Sequence, residues 1–207
     1  MNNIKLHRHA LSGHSHRAEL LLSLLGINAE LVDVDLAAGE HKSPDFLALN
    51  PLGQVPVLED GDTVITDSNA ILVYLAGRYD ASNSWAPVEP KAAAEVQRFL
   101  STAAGQVAFG PAAARLVNVF GAALDHQRAI EIAHNYLGFL DKHLDGREWL
   151  VEVNPTVADV ANYAYIAHAP EGDVSLASYP NVVAWLRRVE ALSGFVAMQE
   201  TQVGLAA

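Results

Sequence analysis

Between positions 12 and 17 the chain reads Ser-Gly-His-Ser-His-Arg, which crowds hydroxyls, imidazoles and a guanidinium into two turns' worth of residues. A hydroxyl beside an imidazole is the pairing that activates a nucleophile. Gly13-His14-Ser15-His16 also matches the opening of the G-x-S-x-G turn that seats a hydrolase serine between strand and helix. That motif fails its context, because Arg17 stands where the last glycine belongs and only a dozen residues precede Gly13, too few for the earlier strands of a hydrolase sheet. The nine histidines raise a metal reading, with His7 and His9 on one face of a strand and His14 and His16 in the loop beyond. No H-E-x-x-H and no cysteine accompany them, so polar, partly exposed histidines are expected and no metal. Two further groupings carry chemistry. His41-Lys42 is a cationic pair, and Asp67-Ser68 opens a helix shortly after a strand that contains Pro56.

The composition narrows the choices. At 207 residues the chain is long enough for one large domain or two small ones, and 51% hydrophobic with 18% charged residues is ample for a packed core. A net charge of −11 argues against nucleic acid or an anionic membrane as the main partner. The absence of cysteine excludes disulfides, Cys-rich zinc sites and every mechanism that needs a protein thiol. No run approaches the roughly 18 apolar residues of a membrane span. "LLLSLLG" follows Glu19 and lacks a cleavage pattern, so it is not read as a signal peptide, and a cytoplasmic location is expected.

The elements that must hold these groups fall into two halves. Ile4 and Leu6 alternate as a half-buried strand, Ser15 opens a helix that ends at Gly26, and "AELVDVDL" is a second strand. "SPDFLAL" has a serine cap and a proline at the first helical position. Val55–Leu58 and Val64-Ile65 flank the turn Glu59-Asp60-Gly61-Asp62, and "DSNAILVYLAGRY" is a helix. The order βαβαββα predicts a small mixed sheet covered by helices over residues 1–79, an α/β domain. Residues 80–90, "DASNSWAPVEP" from Asp80, are a proline-bearing linker. Residues 91–207 show helical periods alone and predict an all-α bundle. In it "GPAAARL" should kink or break a helix, and Thr156 with Asp159 forms a variant capping box.

"NPLGQVPVLEDGDTVITDSNAILVYL", with "SGHSHRAELLLSLLG" before it and "NPTVADVANY" after, resembles the glutathione S-transferase family in order and spacing over most of the chain. The resemblance implies a thioredoxin-like N-terminal domain, a helical C-terminal domain, glutathione as co-substrate and a homodimer. A cis bond before Pro56 would turn the Val55 N–H and C=O outward, an edge on which an extended tripeptide pairs. Ser68 and the N–H groups at its helix start would take the γ-glutamyl carboxylate, and Asp67 the α-ammonium. His41 and Lys42 match a pair that reaches the glycyl carboxylate, and Gln54 a residue that bonds the same end. Ser12 stands where several classes of the family carry the activating serine, with Ser15 the alternative. The second-substrate pocket would be lined by His14 and by the 99–120 segment with Phe109, although Phe99, Phe109 and Phe120 are equally suited to the core.

Without cysteine the chain cannot form a mixed disulfide with glutathione, which leaves hydroxyl-assisted activation of the bound thiol. Lowering a thiol pKa by about two units requires about 2.7 kcal/mol of preference for the thiolate. One hydrogen bond to a charged group supplies roughly 1.5–3 kcal/mol, and a helix N-terminus adds about 0.3–1 kcal/mol. The expected activity is conjugation of glutathione to apolar electrophiles or reduction of organic peroxides. The alternative is a non-enzymatic glutathione-binding or regulatory protein on the same fold.

Overall fold

Apolar alternation in "IKLHR" and the buried apolar pair that opens "VLED" set two strands side by side at the centre of a sheet. The computed structural model describes residues 4–151 and 153–205. β1 (Ile4–Arg8) pairs in parallel with β2 (Glu30–Asp33) and antiparallel with β3 (Val57–Asp60), and β3 continues through the hairpin into β4 (Thr63–Thr66). The strand order is β2-β1-β3-β4. Register places Leu6 opposite Leu58 and His7 opposite Val57, so alternate pairs face opposite sides of the sheet.

Helices α1 (Gly13–Leu24) and α3 (Ser68–Tyr79) pack against each other. Leu20, Leu21, Ile71, Leu72 and Leu75 are all fully buried. Phe46 of α2 (Pro44–Leu49) packs with Val34 and Val57 in a second cluster, which Val55 joins. The order is thus βαβαββα, an α/β unit with a mixed sheet. Asp60 ties α3 to the end of β3, accepting from Tyr74 at 2.8 Å and Tyr79 at 2.5 Å. The chain divides into two compact units, Met1–Asn83 with Ser193–Gln199, and Ser84–Leu192 with Glu200–Ala207.

The second unit is helical: α4 (Pro90–Thr102), α5 (Ala113–Phe120), α6 (His126–His143), α7 (Val157–Ala167) and α8 (Pro180–Glu190). The helix does not break at Pro111, where a kink or a break was expected. Between α4 and α5 the backbone runs as a π-helix over Ala103–Ala112, with Pro111 inside it. The wider turn displaces the carbonyl with which a proline ring clashes in an α-helix, so the helix passes through. Gly110 lets this segment touch α6, since a Cβ there would lie 2.9 Å from the Ala133 amide nitrogen.

The Thr156–Asp159 capping box is present and buried. Asp159 Oδ1 also accepts from the Leu150 amide at 3.0 Å and from Trp185 Nε1 at 2.9 Å, which joins the start of α7 to α8. Near it in chain order, Glu171 gathers Arg115 Nε at 2.6 Å, His168 Nδ1 at 2.6 Å and the Thr201 hydroxyl at 2.7 Å, all within the helical unit.

Candidate active site

The first helix starts earlier than its sequence suggests, and this moves its cap from Ser15 to Ser12. Ser12, not Ser15, is the N-cap of α1: its Oγ accepts from the Ser15 amide at 3.2 Å. Its backbone is extended (φ −92°, ψ 114°), the geometry a cap needs, and Gly13 and His14 form the first turn. Ser15 is buried inside that turn, and its Oγ accepts from the His9 amide at 3.2 Å. The cap assigned to Ser15 from sequence therefore belongs to Ser12, because the three-residue spacing between them suits a cap and its N3 amide. His14 and His16 likewise lie on α1 rather than in a loop. His16 is buried, with Nε2 2.8 Å from the Val196 carbonyl.

The cis peptide at Val55-Pro56 is present, and β3 begins only after it, at Val57. The strand expected over Val55–Leu58 is shifted two residues on, which resolves the proline: it precedes the ladder instead of interrupting it. Among the described residues, nothing pairs with the Val55 N–H or C=O. The loop before it is held by Asn50, which is buried; its amide donates to the Gln54 carbonyl at 2.8 Å, and its Oδ1 accepts from the Leu52 amide at 3.1 Å. Sequence reasoning missed Asn50, although an Asn ahead of Pro51-Leu52-Gly53 is a turn signal. Gln54 itself is exposed.

His41 and Lys42 sit in a single 3₁₀ turn, Glu40–Lys42. Lys42 Nζ donates to the carbonyls of Leu52 at 3.2 Å and Gly53 at 3.0 Å, so its charge is tethered to the same loop. Gly53 is required there: φ is +58°, and a Cβ would stand 2.7 Å from both the His41 carbonyl oxygen and Lys42 Nζ. His41 Nδ1 is buried with no partner among the described residues.

Asp67 caps α3 through Oδ1, accepting from the amides of Asn69 and Ala70, each at 2.9 Å. Its φ of +74° is an unusual backbone conformation for a non-glycine residue. Ser68 follows, with only 4% of its surface exposed. Its Oγ lies 3.0 Å from Arg17 Nη1 and 3.2 Å from His14 Nδ1, while Arg17 Nη1 also stands 3.0 Å from His14 Nδ1. This triangle joins the first turns of α1 and α3. Arg17 was not singled out from sequence, yet once α1 begins at Gly13 it lies one turn beyond His14 on the same face. Burial, and then the Arg17 charge, push the His14 pKa down from 6.5 to about 3.

Of the aromatic candidates, Phe99 is fully buried core, whereas Phe109 on the π-helix and Phe120 are exposed. His14 belongs to the first unit and Phe109 to the second. Among the described residues no group of three His, Asp or Glu could hold a metal ion, and no helix is long and apolar enough to cross a membrane. His7 is instead paired with Glu59 at 2.7 Å.

Residues 3–77 match the family model for the glutathione S-transferase N-terminal domain, and residues 91–193 match that for its C-terminal domain. Glutathione S-transferase 3 of Zea mays is 33% identical, the match covering 94% of this chain and 92% of that protein. A crystal structure of a glutathione S-transferase from Pseudomonas fluorescens superposes with a TM-score of 0.89 at 30% identity, over 95% of this chain and 99% of the other. A glutathione transferase homologue from Drosophila mojavensis, solved with bound glutathione, superposes with a TM-score of 0.85 at 27% identity, over 93% and 89% of the two chains.

Proposed function

The chain belongs to the glutathione S-transferase family, and from that premise we propose that it binds glutathione along Val55 and the start of α3 and activates its thiol with the Ser12 hydroxyl. The observation that carries this reading is the geometry of Ser12. Its oxygen accepts from the Ser15 amide at 3.2 Å, which leaves the hydroxyl proton to donate outward at the N-terminus of α1. A thiolate placed there gains that hydrogen bond, roughly 1.5–3 kcal/mol, and the helix-end field, about 0.3–1 kcal/mol. No general base is needed, since these two contributions together meet the preference that the shift requires.

The Val55 N–H and C=O, without a partner among the described residues, are the groups on which the cysteinyl unit of glutathione pairs as an added strand. Ser68 donates to the γ-glutamyl carboxylate, and Asp67 Oδ2 attracts the α-ammonium while Oδ1 stays with the helix. At the other end the glycyl carboxylate meets His41, Lys42 and Gln54. The second substrate is an apolar electrophile or an organic hydroperoxide, and the working form is a cytoplasmic homodimer.

Glutathione turnover against a panel of electrophiles and hydroperoxides tests the activity, and sedimentation should give twice the 22.2 kDa chain mass. One observation favours a second reading, a glutathione-binding protein without turnover: capping α1 already accounts for Ser12. Saturable glutathione binding with no product from any substrate would select that reading.

A further inference from the structure

The hydrogens in the triangle behind α3 do not divide evenly. Arg17 Nη1 carries two, and its acceptors are Ser68 Oγ at 3.0 Å, His14 Nδ1 at 3.0 Å and, more distantly, Asn69 Oδ1 at 3.4 Å. A guanidinium only donates, so Nδ1 must present its lone pair to Arg17, and the neutral ring carries its proton on Nε2. Ser68 Oγ lies 3.2 Å from the same Nδ1. A ring nitrogen has a single lone pair, and Arg17 already draws on it. The Ser68 proton can only share that lone pair, while donation from Arg17 polarises the serine oxygen and strengthens its O–H as a donor. A hydroxyl in this state turns readily to a better acceptor, and an oxyanion is one.

We propose that His14 is a positioning residue for glutathione: through Nδ1 it holds the Arg17 guanidinium in place against Ser68, whose hydroxyl stays ready to donate to the γ-glutamyl carboxylate. The inference rests on the reading of the chain as a glutathione-binding transferase. The charged group facing the ring is Arg17, on the same helix; α3 brings the uncharged Ser68, preceded by Asp67, whose Oδ1 is turned to its own helix amides. A proton on Nδ1 would oppose Arg17 and break the triangle. With the His14 pKa near 3, that does not happen in the neutral range.

Three substitutions separate the ring nitrogens, because Asn places an amide oxygen where Nδ1 stands, Gln places its amide where Nε2 stands, and Leu supplies neither. In calorimetric titrations with glutathione, His14→Asn should bind within about twofold of the wild type, whereas His14→Gln and His14→Leu should bind about five- to tenfold more weakly. Thermal melts establish that each variant is folded. Nitrogen–proton NMR of the wild-type ring, which needs no ligand, should show a bare Nδ1 and a protonated Nε2 at neutral pH. A bare Nε2, or an affinity that Gln preserves and Asn loses, overturns the proposal, as does equal binding by all three variants. If the wild-type chain binds no glutathione, the proposal falls together with the reading beneath it; wild-type binding with Asn as weak as Leu overturns the proposal alone.

Discussion

The Ser15 amide donates to Ser12 Oγ at 3.2 Å, while Ser15 Oγ is itself turned inward to the His9 amide. Two neighbouring hydroxyls are thereby sorted into one that faces outward from a helix end and one sealed in the fold. Ser12→Ala should raise the bound thiol pKa by about one to two units and lower turnover near neutral pH about ten- to hundredfold. It should also cost about 0.5–2 kcal/mol of stability through the lost cap, and Ser12→Thr should restore both. Ser15→Ala, which removes the hydroxyl that accepts from the His9 N–H, should cost about 1–3 kcal/mol of stability and leave the thiol pKa unchanged. Ultraviolet absorbance of the thiolate against pH reads the first effect, and denaturant unfolding the second.

Asp67 combines a helix cap with a proposed counter-charge, and one atom separates the two roles. Asp67→Asn keeps an acceptor for the Asn69 and Ala70 amides, so its melting temperature should stay near that of the wild type. Loss of the negative charge should still weaken glutathione binding about tenfold or more. Asp67→Ala should lose both affinity and about 1 kcal/mol of stability. Unchanged affinity in Asp67→Asn would reduce the residue to a cap.

His14 makes stability depend on pH. Its unfolded pKa is 6.5, while burial and then Arg17 hold the folded value at about 3. Between those values the unfolded chain binds the extra proton, so stability rises with pH across the interval and is lost as pH falls through it. Above the interval the residue contributes no slope. Urea midpoints measured at about pH 8 and about pH 5 should fall less in His14→Asn than in the wild type.

Glu171 acts in the same direction at lower pH. Burial alone would raise its pKa, but hydrogen bonds from His168 and Thr201, with the Arg115 charge, hold it below the ordinary 4.5. A depressed carboxylate stabilises the fold above its unfolded pKa, and that contribution disappears as pH falls through the folded value. Glu171→Ala removes one side of a buried ion pair and should cost about 3–5 kcal/mol. Its unfolding free energy should then lack the wild-type slope below pH 4.5.

The βαβαββα order, the serine cap with proline of α2 and the capping box of α7 were legible because each rests on local spacing. The start of α1 was not, since Gly13 reads as loop until Ser12 is recognised as a cap three residues before Ser15. Pro111 misled for a related reason: its penalty is that of an α-helix, and the backbone there is a π-helix. The Arg17–Ser68–His14 triangle depends on packing α1 against α3, and no period within either helix carries it. Family resemblance singled out Asp67, Ser68 and Pro56 as a set, and of what it led one to expect, the cis bond before Pro56 and the helix start at Asp67-Ser68 are present. Which Asp67 oxygen is committed to the helix is set by the folded backbone and has no signal in the sequence.

The segment Ser193–Gln199 packs with the sheet-bearing unit, where Gly194 O accepts from Ser23 Oγ at 2.6 Å and Val196 O meets His16. During synthesis from the N-terminus, the unit that emerges first therefore completes its packing almost last. Until then the back of α1 exposes an imidazole and a hydroxyl that the finished protein covers. A fragment cut within the 80–90 linker would keep every strand yet remain in that unfinished condition. Supplied as a separate peptide, residues 193–199 would be the piece that completes it.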